Sequence, residues 1–249
     1  MNVSMMQPTF LPWQGYFELI YKADVFIFLD DFQFSVQGYH QRNRLFINKN
    51  KADWHTVPID KKSSFKKALN ETKINENIPW RKKMWKRIKQ NYGKTPYFDM
   101  IALFLEKWLL STYNSLAEQN MIFIRYVCES FAWKRKFVLS SSYPSEKKRS
   151  EHVVELLRRC NAKQYYCAYG SFDYMLEDKV FPLDDIDVFF QNYDPRPYKQ
   201  ILSDNFIPYL SVLDALFNIG FDATADLIVN GTEKWMTWED MLSLYAKEF

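Results

Sequence analysis

The strongest constraint on the fold is an unbroken apolar run at residues 25–29, preceded by a proline-containing loop and a short helical segment. An apolar run without polar alternation is typical of a strand covered on both faces, as in a parallel sheet between helices. A short strand is predicted at 3–7, and apolar residues at helical spacing predict a helix at 16–23. This N-terminal segment therefore predicts a strand–helix–strand unit, the repeating unit of an α/β fold.

The rest of the chain repeats this alternation and adds two further units. Strands are predicted at 137–139, 164–168 and 186–191, and helices at 146–160, 210–218 and 237–246. A β-hairpin with a longish loop is predicted from 44–47 and 54–57, a mobile surface loop at 60–73, and helices at 79–92, 97–111 and 113–132. We predict one α/β domain over 1–249: a mostly parallel, Rossmann-like sheet flanked by helices, with a small β-hairpin and a helical insertion at about 79–132.

The composition limits the class of protein. With 47% hydrophobic and 25% charged residues, the chain has the profile of a globular protein. No apolar run approaches the roughly 20 residues of a membrane span, and the N-terminus lacks a secretion signal, so a cytoplasmic protein is expected. Cys128, Cys160 and Cys167 match no metal-binding spacing, and we expect buried, reduced thiols. The 18% of aromatic residues predict an aromatic core, with stacking surfaces for a sugar or base as the alternative.

The net charge of +3 hides an asymmetry along the chain. Residues 171–249 contain 15 acidic and 5 basic side chains, so the preceding residues carry the positive charge. The helix predicted at 79–92 has no acidic residue and six basic ones: Arg81, Lys82, Lys83, Lys86, Arg87 and Lys89. Such a face is either a solvated surface or a docking site for a phosphate-bearing ligand or an acidic protein. No nucleic-acid recognition motif accompanies it, so nucleic acid is not the expected partner.

An acidic pair, Asp30 and Asp31, directly follows the apolar run. Ligands bind at the carboxyl ends of strands in an open parallel sheet, so this pair and the loop at 7–15 are expected at the same rim. One carboxylate facing the pocket would act as a general base or a hydrogen-bond acceptor. A pair that only caps a turn is the alternative. His40 is a second candidate base near neutral pH.

Arg42 and Arg44 flank Asn43, so on a strand the two guanidinium groups share one face. Paired arginines suit bidentate binding of a phosphate or a carboxylate. They would equally pair with Asp30 and Asp31, and would then fix the loop without taking part in chemistry. The sequence leaves both interpretations open.

Several motifs together resemble the WbqC-like family. They are QPTFLPWQGY at 7–16, the strand that ends in the acidic pair, QRNR at 41–44, AYGS at 168–171 and SVLDALFNIG at 211–220. The likeness covers nearly the whole chain and is weakest at 58–78 and after Gly220. It implies a substrate pocket lined by motif residues: Gln7, Pro8, Trp13, Gly15, Tyr16, Gln33, Asn43, Arg44, Gly170, Ser171, Tyr174, Ser211, Asp214 and Asn218.

The family is associated with the synthesis of bacterial surface polysaccharides, in particular the O-antigen of lipopolysaccharide. The resemblance implies a transferase that moves an acyl or aminoacyl group from a thioester, on an acyl carrier protein or coenzyme A, to a nucleotide-linked amino sugar. Asp30 or Asp31 would be the base, and Asn43 and Arg44 would orient the sugar. The basic helix would dock the carrier, and no metal or built-in cofactor is expected. The alternatives are a glycosyltransferase and a non-catalytic module that binds the sugar or the carrier.

Overall fold

The computed structural model describes residues 1–248. Its strands and helices are, in chain order, β1 (Asn2–Met6), α1 (Gln14–Lys22), β2 (Val25–Phe28), β3 (Arg42–Asn48), β4 (Lys51–Thr56), α2 (Lys61–Ser64), α3 (Trp80–Tyr92), α4 (Phe98–Leu110), α5 (Leu116–Ser130), β5 (Lys136–Leu139), α6 (Arg149–Arg159), β6 (Gln164–Cys167), α7 (Ser171–Asp178), β7 (Asp187–Phe190), α8 (Val212–Val229) and α9 (Trp238–Glu248). Two short 3-10 turns, Leu69–Glu71 and Ser140–Ser142, lie after α2 and β5.

Five strands form one parallel sheet in the order β5-β2-β1-β6-β7. The first strand lies in the centre, the chain builds outward through β2 and β5, and it then crosses over for β6 and β7. This order is that of a Rossmann-type sheet, with β3, β4 and α2 to α5 inserted between its second and third strands. The predicted α/β class, with a parallel sheet flanked by helices and a small hairpin, is confirmed.

The sheet has a hydrophobic core on each face, which explains the unbroken apolar run of β2. Phe26 and Phe28 belong to one core, together with α1, and Val25 and Ile27 belong to the other, together with α6. Neighbouring residues of a strand point to opposite faces, so every position of β2 has to be apolar. Each of these side chains is at most 3% exposed.

The strands β3 and β4 form a separate antiparallel sheet, and β3 packs against α3 and α8. A tight turn at Lys49 and Asn50 joins the two strands, so the prediction of a longer connecting loop is wrong. Asn50 has a φ of 60°, a left-handed conformation that asparagine tolerates better than most residues. The segment at 60–73 is also more regular than expected, because Asp60 accepts hydrogen bonds from the first turn of α2 and thereby caps it.

The core confirms two expectations from composition. The largest fully buried side chains are all aromatic, and Cys128, Cys160 and Cys167 are buried and free. Among residues 1–248, no helix combines the length and the apolar character needed to cross a bilayer.

Helix α8 contains a kink at Gly220. This residue has a φ of 77° and a ψ of −177°, a combination essentially restricted to glycine. A Cβ atom at this position would stand 2.9 Å from the ring of Tyr97. The helix predicted at 210–218 therefore extends to Val229 across a change of direction that only glycine permits.

Replacing Gly220 by alanine is expected to lower the free energy of unfolding by roughly 2 kcal/mol or more, because the new side chain is strained and meets Tyr97. Gly170→Ala is the matched control, since Gly170 has a φ of −68° and nothing within 4 Å of its Cβ position. Urea unfolding followed by circular dichroism measures both variants. Equal stability of the two would contradict the role given to Gly220.

Candidate functional site

The loop at 7–15 connects β1 to α1 and runs into the first two residues of that helix. Residues 7–13 lack regular structure, so their backbone oxygens need partners from elsewhere. The Nδ2 group of Asn43, on β3, donates to the oxygen of Leu11 at 2.8 Å. The Nδ2 group of Asn120, on α5, donates to the oxygen of Pro8 at 3.0 Å. Both amides are buried. Asn43 therefore holds the loop in place, and the structure gives it a positioning role.

A third amide ties the end of this loop to the far side of the sheet. The Nε2 group of Gln191, directly after β7, donates to the oxygen of Gly15 and to Glu18, at 2.8 and 2.7 Å. Glu18 also accepts the backbone N–H of Thr232 at 2.8 Å. Burial raises the pKa of Glu18 above its ordinary range. Glu18 is fully buried, and its partners Gln191 and Thr232 come to α1 from more than 170 residues along the chain.

Trp13, Gly15 and Tyr16 pack within this same region. The Trp13 ring lies against Tyr193 and Tyr209, at centroid distances of 5.0 and 5.4 Å. A Cβ atom on Gly15 would stand 2.3 Å from the Trp13 ring, so glycine lets the indole lie over the backbone. The Tyr16 hydroxyl donates to the backbone oxygen of Gln7, the first residue of the loop, at 3.2 Å.

Asp214 is a second buried carboxylate, and both of its oxygens accept hydrogen bonds from other protein groups. It accepts hydrogen bonds from the hydroxyls of Tyr92 and Tyr198, at 2.8 and 2.6 Å, and from the Nε2 group of Gln200 at 2.9 Å. Tyr92 in turn accepts the backbone N–H of Phe46 at 3.0 Å. Burial raises the pKa of Asp214. This network joins α8 to α3, to β3 and to the segment before α8.

The other motif residues on and beside α8 are also bonded within the protein. The backbone N–H of Ser211 donates to the oxygen of Arg44 at 3.1 Å, and its hydroxyl caps the helix. The Arg44 guanidinium donates to the oxygen of Pro208 at 2.9 Å. Asn218 accepts the backbone N–H of Ile201 at 2.9 Å. Ser211 and Asn218 are buried, so they act here as connectors between elements.

The two arginines of β3 do not neutralise the acidic pair. Arg42 lies over the ring of Trp54, with 4.2 Å between the guanidinium carbon and the ring centroid. Within residues 1–248, neither Arg42 nor Arg44 forms an ion pair with Asp30 or Asp31. The alternative of a buried Asp–Arg lattice is therefore wrong, because β3 belongs to the separate hairpin sheet.

His40 is buried and engaged at both ring nitrogens. Its Nε2 atom lies 3.1 Å from the Oε1 atom of Gln7, and its Nδ1 atom accepts the backbone N–H of Ser35 at 3.3 Å. Gln7 continues the chain of bonds to the backbone oxygen of Gln33 at 3.1 Å. Burial lowers the pKa of His40 to about 4, so the ring is neutral at pH 7 and is a weak base.

The two aspartates after β2 differ sharply in their surroundings. Asp30 is buried and accepts hydrogen bonds from the Ser141 hydroxyl at 2.7 Å, from the Ser141 N–H at 3.0 Å and from the Asn70 amide at 3.2 Å. Asp31 is half-buried and accepts the Ser140 hydroxyl at Oδ1. Its Oδ2 atom has no hydrogen-bond partner among residues 1–248. Asp30 is thus a structural anchor, and Asp31 keeps one oxygen available.

A cleft of about 690 Å³ opens at the carboxyl ends of β2 and β5. Its lining comes from the segment after β2, from the loop before α6 and from α6 itself. The residues are Asp31, Phe32, Gln33, 145–149 and His152. Its position agrees with the expected rim, and it contains two predicted site residues, Asp31 and Gln33. No three His, Cys, Asp or Glu side chains within residues 1–248 form a group that could hold a metal ion.

The walls of this cleft, which will be called the rim cleft, combine charge with an aromatic surface. Lys147 and Lys148 are exposed, whereas Arg149 is held by Glu177 and Asp178. Lysine is a strongly hydrated point charge that suits a phosphate group. These two lysines are absent from the predicted site, because they become neighbours of Asp31 only when β5 pairs with β2.

His152, on α6, lies at the rim cleft. Its ring stacks on Phe32, with 5.4 Å between centroids and 22° between planes. The Nε2 atom is buried and has no hydrogen-bond partner in the part of the chain that the structure describes. The stacked pair fixes the position of the Phe32 ring beside Asp31.

The predicted residues Gly170, Ser171 and Tyr174 lie at the carboxyl end of β6, at the start of α7. Two strand spacings, roughly 10 Å, separate β6 from β2 across the central strand. Gly170 is exposed, while burial raises the pKa of Tyr174 to about 12. These residues share the rim with Asp31 without lining the rim cleft.

The basic face of α3 contains five of the six expected cations, all exposed: Lys82, Lys83, Lys86, Arg87 and Lys89. Arg81 is buried, pairs with Glu76, and donates to the backbone oxygen of Leu109 and to Gln119, at 3.0 Å each. It therefore joins α3 to α4 and α5. The prediction that Arg81 belongs to the docking face is wrong, because its guanidinium points to the buried side of α3 and is bonded there to Glu76, Leu109 and Gln119.

Comparison with known proteins agrees with this distribution of motifs. A sequence model described as the WbqC-like protein family matches residues 7–226 of the chain. The chain is also similar to Uncharacterized protein Rv1507c of Mycobacterium tuberculosis (strain ATCC 25618 / H37Rv), with 30% identity over 224 residues, covering 89% of this chain and 95% of that protein. No solved structure matches the chain.

Replacing Asn43 by alanine is expected to lower the free energy of unfolding by roughly 1–3 kcal/mol, because the buried oxygen of Leu11 loses its donor. Asn77→Ala is the matched control, since Asn77 is exposed and its side chain makes no hydrogen bond within residues 1–248. Urea unfolding of both variants measures the effect. Equal midpoints for Asn43→Ala and Asn77→Ala would show that the loop does not depend on this amide.

The pH dependence of stability should carry the signature of Asp214. Burial raises its pKa from the ordinary 3.8, so the folded protein holds this proton more tightly than the unfolded chain. The resulting stability is fully present below pH 3.8 and is lost as the pH rises through the folded pKa. The stability advantage of the wild type over Asp214→Asn should therefore shrink from acid to neutral pH, as urea unfolding at several pH values would measure.

Asp204→Asn is the control with the opposite sign. Hydrogen bonds from Asn50 and Lys49 lower the pKa of the exposed Asp204 carboxyl. Its contribution to stability is present above its ordinary pKa and is lost as the pH falls through the folded pKa. The same pH trend in both variants would contradict the assignment for Asp214.

Proposed function

The chain belongs to the WbqC-like protein family, and on that premise we propose that it is a transferase in the biosynthesis of bacterial surface polysaccharide, O-antigen in particular. It transfers an acyl or aminoacyl group from a thioester, on an acyl carrier protein or coenzyme A, to the amino group of a nucleotide-linked sugar. The amine nitrogen attacks the thioester carbon, a C–N bond forms and the C–S bond breaks. The proton lost by the amine passes to a base and then to the departing thiolate.

The observation that carries this proposal is the available oxygen of Asp31 in the rim cleft. A general base has to reach the proton it removes, and a positioned base contributes typically about 10²–10⁴-fold in rate. Asp30 cannot easily fill this role, because three hydrogen bonds already occupy its carboxylate. It holds the turn at Ser140 and Ser141 against β2 and so fixes the position of its neighbour.

The rim cleft suits a nucleotide-linked sugar in volume and charge. Its 690 Å³ lies within the range of roughly 300–1,000 Å³ that ligand sites occupy. Lys147 and Lys148 have no ion-pair partner within residues 1–248 and would bind the diphosphate. Phe32, held by His152, offers an aromatic surface to the sugar or the base.

The exposed cations of α3 suit an acidic carrier protein. The face defined above has no acidic residue on the helix itself, so its potential attracts a negatively charged surface. Arg81 anchors the helix from its inner side through Glu76 and Gln119. A carrier that docks there would bring its thioester to the protein by electrostatic steering, with rates that fall as salt is added.

Replacing Asp31 by asparagine is expected to lower turnover by about 10²-fold or more, because the amine loses its base while the side-chain size is kept. Asp222→Asn, an exposed carboxylate on α8, is the matched control and should retain full turnover. The assay incubates the protein with a panel of nucleotide-linked amino sugars and acyl donors, and mass spectrometry detects the sugar that gains the acyl mass.

Two results would count against the proposal in different ways. Full turnover by Asp31→Asn would remove Asp31 as the base and leave the transferase in place. No mass gain on any sugar, combined with binding of the same sugars by calorimetry, would favour a non-catalytic binding module. Motif residues such as Asp214 and Asn43 are bonded within the protein and supply no catalytic group, which is compatible with that alternative.

A further inference from the structure

A second depression, which will be called the apolar groove, adjoins the rim cleft. It has a volume of about 320 Å³, and its apolar lining consists of Phe34, Val36, Ile59 and Phe65. Phe34 and Ile59 are buried and form its floor. Val36 and Phe65 stand at its sides, 59% and 73% exposed. Large apolar side chains this exposed around a concave surface are typical of a binding site.

The groove and the rim cleft meet at Gln33, which lines both of them. A molecule that fills the groove therefore lies next to the cleft that contains Asp31. Transfer of a group between two substrates requires the reacting atoms to lie about 3 Å apart, so two adjoining sites are the geometry such a reaction needs. A single substrate would not require the second, apolar, compartment.

Two cations line the groove, and its lining contains no acid. Lys61 and Lys66 belong to α2 and the residues just after it, and neither forms an ion pair within residues 1–248. The Nζ atom of Lys66 lies 5.4 Å from the centroid of the Phe65 ring. Positive charge beside the apolar groove suits a ligand in which an apolar chain is attached to a phosphate-bearing group.

We propose that the apolar groove binds the acyl chain of the thioester donor, while the positive charge of Lys61 and Lys66 attracts the phosphate-bearing arm of that donor to this surface. The proposal deepens the function given above and rests on it for the meaning of the site. It specifies the acyl group as an apolar chain, because Phe34, Val36, Ile59 and Phe65 offer no charged group to an ammonium-bearing aminoacyl donor. The thioester carbon then lies near Gln33, next to Asp31.

Binding of S-alkyl thioethers of coenzyme A, from ethyl to decyl, tests the groove without any turnover. These probes carry the phosphopantetheine arm and cannot transfer their chain. Affinity measured by calorimetry should rise roughly three- to fourfold per methylene until the groove is full. Phe65→Ala should flatten this dependence on chain length. Leu103→Ala is the matched control, because Leu103 is 81% exposed on α4 and lies outside the groove.

The two lysines predict a different pattern. The double variant Lys61→Gln with Lys66→Gln should weaken binding of every chain length by the same factor, several-fold, and should reduce its dependence on salt. The double variant Lys94→Gln with Lys163→Gln removes two exposed charges elsewhere and should bind like the wild type. An equal loss in both double variants would point to net charge and would overturn the role of Lys61 and Lys66.

Several outcomes would overturn the inference, and they differ from failure of the proposed function. Absence of binding, affinity independent of chain length, or an unchanged chain-length dependence in Phe65→Ala would each do so, whether or not any sugar is modified. A dimer that forms with rising concentration and is lost in Phe65→Ala would show that a second copy covers the groove. Lack of sugar modification with intact, chain-length-dependent binding would instead contradict the transferase and leave the groove assignment standing.

Discussion

The structure depends on one constraint, the need to satisfy the backbone oxygens of an irregular loop that is largely buried. Most of the loop at 7–15 lies outside the strands and helices, and an unpaired buried carbonyl costs about 1–3 kcal/mol. Asn43, Asn120 and Gln191 supply the donors, from the hairpin, from the helical insertion and from the end of the sheet. Three distant parts of the chain are thereby fixed to the same loop, and the rim is built on it.

This constraint changes the meaning of the motif residues. Asparagine and glutamine in a family motif are natural candidates for substrate binding. Asn43 and Asn218, however, form their hydrogen bonds with other groups of the protein. Asp214 does the same with two tyrosines. Their common property is burial in a network without spare capacity. The groups that remain available lie where the network ends, and Asp31 is the motif acid that this leaves at the rim cleft.

The sequence predicted what local patterns determine. The apolar run of β2 and the helical spacing of α1 led to the parallel sheet, and the acidic pair was correctly expected at its carboxyl edge. The difference between Asp30 and Asp31 could not be predicted, because Ser140 and Ser141 reach them only after β5 pairs with β2. The burial of Arg81 was missed for the same reason, since its acceptors lie on other helices and charge pattern alone does not reveal them.

The open side of the rim cleft has a consequence for the order of events in a reaction with two substrates. The rim cleft is lined in part by exposed residues such as Lys147 and is open to solvent there. The apolar groove has its own open side at Phe65. Neither occupant would block the entrance of the other. The two substrates would then add in random order, and initial-rate kinetics would show no obligatory first partner.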